Sequence, residues 1–289
     1  MPKHFSRCLA LLLLCALLML GGCSREEKDP NVRSVPVIMY HHLDSVGNGG
    51  TIISAENFER QIRAIAEAGY TAVSVQEMID FVHRGGELPD KPVCITFDDG
   101  YESNFTIAAP ILEKYGMKAT VFCIGSSCGK DTYKDTENPI IPHFSMQQAR
   151  EMLDKGLFTL QSHTWDMHQS AQYETGAVRS CICPLDGESD GDFAEALRAD
   201  CEKQKEYFVS NGFPAPEALA YPGGIYSELA ESILHGQCGI LATFTTEAGG
   251  ANILERGKPE SLYLLYRYNL MDGISNESIL EYLKQKTQT

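Results

Sequence analysis

The sequence predicts an α/β chain with a parallel sheet, folded as a single barrel-like domain. Short apolar segments alternate with segments of helical periodicity, which is the rhythm of strand–helix–strand units. The rhythm runs through residues 35–289, and one barrel-like domain accommodates such a length. No internal repeat or second domain interrupts it.

The elements follow in order. Residues 35–40 read as the first strand, and Ser54 then caps a helix in which Phe58, Ile62, Ile65 and Ala66 recur at helical spacing. Further strands are predicted at 72–75, 93–97, 119–124, 157–161, 218–221, 240–245 and 262–268, which makes roughly eight. Helices are predicted at 105–115, 145–155, 193–211, 228–234 and 278–286. His83 and His235 fall on predicted helices and are read as solvent-facing. Residues 126–144 are polar and rich in Lys and Asp, and read as a rim loop with His143 as a surface histidine.

The stretch Thr96-Phe97-Asp98-Asp99-Gly100 puts two carboxylates at the end of an apolar strand. Side chains alternate along a strand, so the pair can serve one site only where the strand gives way to a loop. One carboxylate could then hold a metal while its neighbour takes a proton from water. A bare Asp-Asp-Gly equally suits an Asx-type turn.

A second constellation is Ser162-His163-Thr164-Trp165-Asp166-Met167-His168. On a helix, histidines at this spacing stand roughly 140° apart, and on a strand they face opposite ways, so neither regular element joins them. A strand end feeding a curved loop can bring both to one ion. With Asp99 they form a two-histidine, one-carboxylate set that leaves positions open for water and substrate. Trp165 could stack on a sugar or pack beneath the loop. Asp166 could hydrogen-bond a ligating imidazole or cap the loop.

On these motifs the chain resembles the metal-dependent polysaccharide deacetylases of carbohydrate esterase family 4. Thr96 to Gly100 matches the family's T-F-D-D-G at every position. His163-Thr164 opens its H-[ST]-x-x-H motif, with His168 one residue late, a spacing similar to that of the poly-β-1,6-N-acetylglucosamine deacetylase branch. Ala220-Tyr221-Pro222-Gly223-Gly224 resembles R-x-P-[FY]-G, with Ala220 in the place of the arginine and Gly223 in that of the aromatic residue. The late L-x-H motif is unmatched, since Leu264-Leu265-Tyr266-Arg267 has no histidine.

The resemblance implies an irregular (β/α) barrel of seven or eight strands with its site at the strands' C-terminal ends. It implies one divalent ion on Asp99, His163 and His168, Zn²⁺ foremost, with Co²⁺, Ni²⁺ or Fe²⁺ as alternatives. Asp98 takes the role of catalytic base, and the substrate-binding turn falls on Tyr221, Pro222 and Gly223, with the Gly223 N–H as oxyanion donor. The general acid passes to His41, with His42 second, because Tyr40-His41-His42 resembles the same branch. Arg267 is a candidate for the positive charge that Ala220 does not bring to Asp98. The implied activity is removal of N-acetyl groups from a cell-surface or extracellular N-acetylglucosamine polysaccharide. An O-acetyl glycan esterase, or a glycan-binding lipoprotein without turnover, are the alternatives.

Residues 1–22 carry Lys3 and Arg7, an apolar run and then Leu20-Gly21-Gly22 before Cys23, the pattern of a secretory signal. It resembles a bacterial lipobox, implying lipid attachment at Cys23, a tether over 23–34, and export to the outer face of the cytoplasmic membrane. Removal of Lys3 and Arg7 takes the formal charge from −15 to −17. Such an acidic chain without a basic patch excludes nucleic acid as a partner. It leaves a polysaccharide and the membrane as partners of a monomer. Of ten cysteines, Cys8, Cys15 and Cys23 belong to the leader and lipid site. Cys94 and Cys123 read as small buried hydrophobes, and pairing among the other five is open.

Overall fold

The computed structural model describes residues 29–287. The predicted signal, the lipid site Cys23 and the first half of the tether, residues 23–28, lie outside the described residues. Eight strands share one sheet: β1 (Val37–Tyr40), β2 (Thr71–Val73), β3 (Pro92–Phe97), β4 (Ala119–Cys123), β5 (Phe158–Ser162), β6 (Ala218–Ala220), β7 (Ala242–Phe244) and β8 (Tyr268–Asn269). Around them stand α1 (Ala55–Glu67), α2 (Val75–His83), α3 (Ala109–Lys114), α4 (Met146–Asp154), α5 (Asp190–Ser210), α6 (Glu228–Gln237) and α7 (Asn276–Thr287).

The strands run in the order β7-β6-β5-β4-β3-β1-β8, all parallel, and β2 pairs with the start of β3. Each of β1, β3, β4 and β6 is buried at every residue, as a strand covered on both faces requires. The segment 265–269 touches both edges of the sheet. Leu265 bridges in parallel to Phe244, and Tyr268–Asn269 pairs with Ile38–Met39. The strands thus close into the irregular barrel, and the chain from Arg33 onward is one unit.

Helices cover the sheet through apolar stripes. On α1, Phe58, Ile62 and Ile65 are fully buried, each contributing about 1.5–3 kcal/mol over an exposed position. Ser74 and Glu77 form a capping box at the start of α2, and Ser145 and Gln148 do the same for α4.

Three expectations change. The strand expected at 262–268 shrinks to β8, because Pro259–Leu262 is a 3-10 turn and Leu264 adopts a left-handed φ of 52°, which breaks strand pairing. The helix expected at 105–115 begins as a π turn over Asn104–Ala108 before α3. His235 is not solvent-facing: it stacks on Tyr263 at 3.5 Å and engages the Ile240 carbonyl at 2.8 Å. Cys94, Cys123, Cys128, Cys181, Cys183, Cys201 and Cys238 are all free thiols.

Candidate active site

Strand pairing aligns the residues that follow β1, β3, β5 and β6. Asp98 N–H donates to the Tyr40 carbonyl at 3.0 Å, placing Asp98 beside His41. Ile124 N–H donates to the Asp99 carbonyl at 3.2 Å, and His163 N–H donates to the Cys123 carbonyl at 3.0 Å. Parallel register therefore delivers His41, Asp98, Asp99 and His163 to one rim.

Strand β3 stops where the two carboxylates need it to. Asp99 has a left-handed φ of 70°, and Thr164 has one of 73° just after His163. Non-glycine residues in this region are held there by their surroundings and cluster at functional sites. Gly100 follows with φ 86°, and a Cβ there would come within 2.8 Å of the Cys123 Cβ, so only glycine lets the loop pass β4.

Asp99, His163 and His168 converge. Nε2 of His163 lies 3.5 Å and Nε2 of His168 lies 3.6 Å from Oδ1 of Asp99, and the three ligand atoms are all within 4.8 Å of one another. Oδ1 of Asp99 is buried with no hydrogen-bond partner. A buried carboxylate oxygen left without a donor costs free energy unless something positive sits against it. Nδ1 of His163 meets the Ala220 carbonyl at 2.8 Å, so that nitrogen carries the proton and Nε2 presents its lone pair toward Asp99. Burial pushes His163 down to about 4, keeping the ring neutral at physiological pH, the form that ligates. Burial raises the Asp99 carboxyl, but His163, His41 and His168 outweigh it and hold it lowered. The donor set, the tautomer and the orphaned oxygen all fit a divalent ion.

Asp98 is held apart from that set. Its carboxylate accepts from Nη1 of Arg267 at 2.6 Å and from Nη2 at 2.8 Å, while Nε of Arg267 donates to the Thr245 carbonyl at 2.8 Å. The charge that Ala220 does not supply thus comes from the far end of the chain. His41 stands near enough to both aspartates to lower them. Its Nδ1 is buried without a partner, and its carbonyl accepts from Nδ2 of Asn104 in the π turn at 3.0 Å.

A cavity of about 590 Å³ opens beside the cluster, lined among others by Asp99, Tyr101, Tyr133, His143, His168 and Tyr173. Burial and the adjoining Asp99 carboxylate raise the Tyr101 hydroxyl.

The sequence model of the family described as polysaccharide deacetylase matches residues 85–237. The chain belongs to the polysaccharide deacetylase family. YxkH of Bacillus subtilis is 28% identical over 251 residues, covering 86% of this chain and 76% of its own length. A poly-β-1,6-N-acetyl-D-glucosamine N-deacetylase of Escherichia coli K12 is 27% identical over 84% of this chain. The match spans 40% of that relative's length. The solved structure of a de-N-acetylase from Aggregatibacter actinomycetemcomitans superposes with a TM-score of 0.71 at 22% identity, covering 86% of this chain and 99% of that one, and shares the fold.

Within this family fold, Tyr221 and His143 sit elsewhere than expected, while Asp166 and Trp165 resolve alternatives that the sequence left open. Tyr221 is fully buried and its hydroxyl donates to Oε1 of Glu231 at 2.6 Å, so that hydroxyl is committed away from a substrate. Pro222 and Gly223 form a 3-10 turn in which Gly223 has a φ of 63°. Asp166 bonds no imidazole: Nζ of Lys134 donates to it at 2.8 Å and Nε2 of Gln169 at 3.1 Å. Trp165 packs edge-on against Tyr207 of α5, outside the cavity lining. His143 is buried against Tyr101 and lines the cavity.

The sequence reading missed Asp200, whose two oxygens accept the N–H groups of Trp165 and Asp166, each at 2.8 Å, and so shape the loop between the histidines. A signal existed. Asp200 lies in the buried stripe Phe193, Leu197, Asp200, Gln204, Phe208 of α5, where a charged residue needs a partner. Tyr133 and Tyr173 carry no comparable signal in the sequence.

Proposed function

We propose that this protein is a metal-dependent hydrolase that removes N-acetyl groups from an N-acetylglucosamine-containing polysaccharide. Family membership supports deacetylation, and the activity for which the E. coli relative is named supports the sugar. The observation that carries metal dependence is the orphaned Asp99 oxygen facing two imidazole nitrogens.

Asp99, His163 and His168 would hold one divalent ion, Zn²⁺ foremost on donor type and Co²⁺, Ni²⁺ or Fe²⁺ otherwise. Such an ion supplies Lewis acidity to an acetyl carbonyl and its attacking water. The chain's own residues do the rest. Arg267 keeps Asp98 ionised and turned from the ligand set, leaving each carboxylate oxygen a further lone pair to accept the water's proton. His41 gives a proton to the departing amine nitrogen. The Gly223 N–H donates to the developing oxyanion, on a turn whose entry Pro222 fixes. The cavity beside His168, walled by Tyr133, Tyr173 and Ile141, takes the neighbouring sugar.

The leader with Cys23 supports export and lipid anchoring on the outer face of the cytoplasmic membrane. The turnover-free lipoprotein reading loses a support, because Arg267 occupies the role left open by Ala220. The test is acetate release from partly N-acetylated poly-β-1,6-glucosamine, chitooligosaccharides and O-acetylated xylan, side by side. Release from the amide substrates supports the reading, and release from xylan alone replaces it with an O-acetyl esterase.

A further inference from the structure

We infer that Lys134 is a positioning residue for the metal ligand His168, acting through Asp166; this rests on the metal-site reading above. The two histidine ligands are oriented differently. His163 is buried and its Nδ1 is fixed by the Ala220 carbonyl at 2.8 Å. His168 is 34% exposed in its side chain, and its Nδ1 has no hydrogen-bond partner. A ligating imidazole normally has its second nitrogen tied down, which sets the ring orientation. For His168 that task falls to the loop that carries it.

The loop is clasped from two sides. From α5, Asp200 takes the backbone N–H groups of Trp165 and Asp166. From the rim, Nζ of Lys134 reaches Oδ2 of Asp166 at 2.8 Å and also pairs with Glu174, which lies beyond His168 in the chain. His168 is therefore bracketed by two carboxylates on one ammonium. Nε2 of Gln169 joins the same Asp166 oxygen at 3.1 Å, and Glu174 also accepts from the Tyr133 hydroxyl at 2.6 Å.

The rim loop is bent to make this reach. Lys134 has a left-handed φ of 50°, a conformation a lysine adopts only when its surroundings demand it. Nζ of Lys130 donates to the Lys134 carbonyl at 3.0 Å, fixing the bend from behind. Exposed ion pairs contribute little to stability on average, but the Lys134 side chain is 29% exposed and its ammonium holds two carboxylates at once. Its effect falls on where His168 sits.

The test is Zn²⁺ affinity of the full folded chain, stripped with chelator and titrated against a competing chromophoric indicator. Lys134→Met should bind Zn²⁺ several-fold and up to about tenfold more weakly, the low end of the loss seen when a group bonded directly to a metal ligand is removed, because Lys134 acts one contact further out. Lys134→Arg, which keeps the charge, should recover most of that affinity. Asp166→Asn, a variant on the other side of the contact, should repeat the loss. Thermal unfolding of the metal-free proteins separates a merely structural role, which would lower the midpoint and leave Zn²⁺ affinity of the folded chain untouched. Wild-type affinity in folded Lys134→Met or Asp166→Asn overturns the inference alone. Absence of Zn²⁺ binding by the wild type overturns the metal reading and the inference with it.

Discussion

Arg267 and Asp98 form a two-pronged ion pair with neither side chain reaching solvent, at 2.6 and 2.8 Å, although 169 residues separate them in the chain. Breaking a buried pair by removing one partner costs more than replacing both, because the survivor stays charged and unpaired. Arg267→Met should therefore destabilise by about 3–5 kcal/mol, and the double variant Arg267→Met with Asp98→Asn should recover much of that loss. Urea unfolding of the three proteins at neutral pH measures it; equal losses in single and double variants would contradict the pairing.

The same pair sets an acid-side pH dependence. Burial by itself would raise the Asp98 carboxyl, yet Arg267 and then His163 hold it well below its ordinary 3.8. A carboxyl lowered in the folded state adds stability that is complete above the unfolded value and is lost as pH falls through the folded one. The stability difference between wild type and Asp98→Asn should stay level down to about pH 5 and narrow below about pH 4. A difference that widens on acidification would refute this.

Asp200 behaves in the opposite sense. Burial pushes it up to about 6 despite the N–H groups of Asp166 and Trp165. A raised carboxyl contributes stability that is present below its ordinary value of 3.8 and is lost as pH rises through 6. Asp200→Asn should remove this slope, and it keeps one acceptor where two are needed, costing about 1–3 kcal/mol for the stranded N–H. Trp165 is the only tryptophan in the chain, so its fluorescence follows this loop during unfolding at pH 4.5 and 7. An unchanged pH slope would remove Asp200 from the account.

His41→Ala should lower turnover by about 10²–10⁴, the usual worth of a positioned proton donor, while the purified protein retains its metal. Steady-state acetate release together with metal content decides the matter. Turnover close to wild type would exclude His41 as the acid.

Local signals made much of this molecule legible. The apolar run ending in Asp98-Asp99 and the histidine spacing each ruled out a regular element, and both residues that break the pattern, Asp99 and Thr164, have left-handed backbones. The strand read at 119–124 stood out because a strand covered on both faces calls for a largely apolar run, and Ala119–Cys123 is buried at every residue. The segment 262–268 misled because its apolar residues serve a 3-10 turn and a single bridge, which periodicity does not distinguish from a strand. Tyr221 was placed correctly in the chain, yet its side chain answers to Glu231, a partner on α6 that only the fold reveals. His143 and Lys134 look like ordinary polar loop residues until the rim loop folds over the cavity, since their roles depend on tertiary partners at Tyr101 and Asp166.

The most direct measurement is acetate release from N-acetylated poly-β-1,6-glucosamine by one protein preparation in three states: as purified, stripped with chelator, and resupplied with equimolar Zn²⁺. Activity that disappears on stripping and returns with the ion, but does not return in Asp99→Asn, is the predicted result. Acetate release that survives complete removal of metal, or a metal-loaded protein that releases none, would contradict the claim that Asp99, His163 and His168 make a hydrolytic centre.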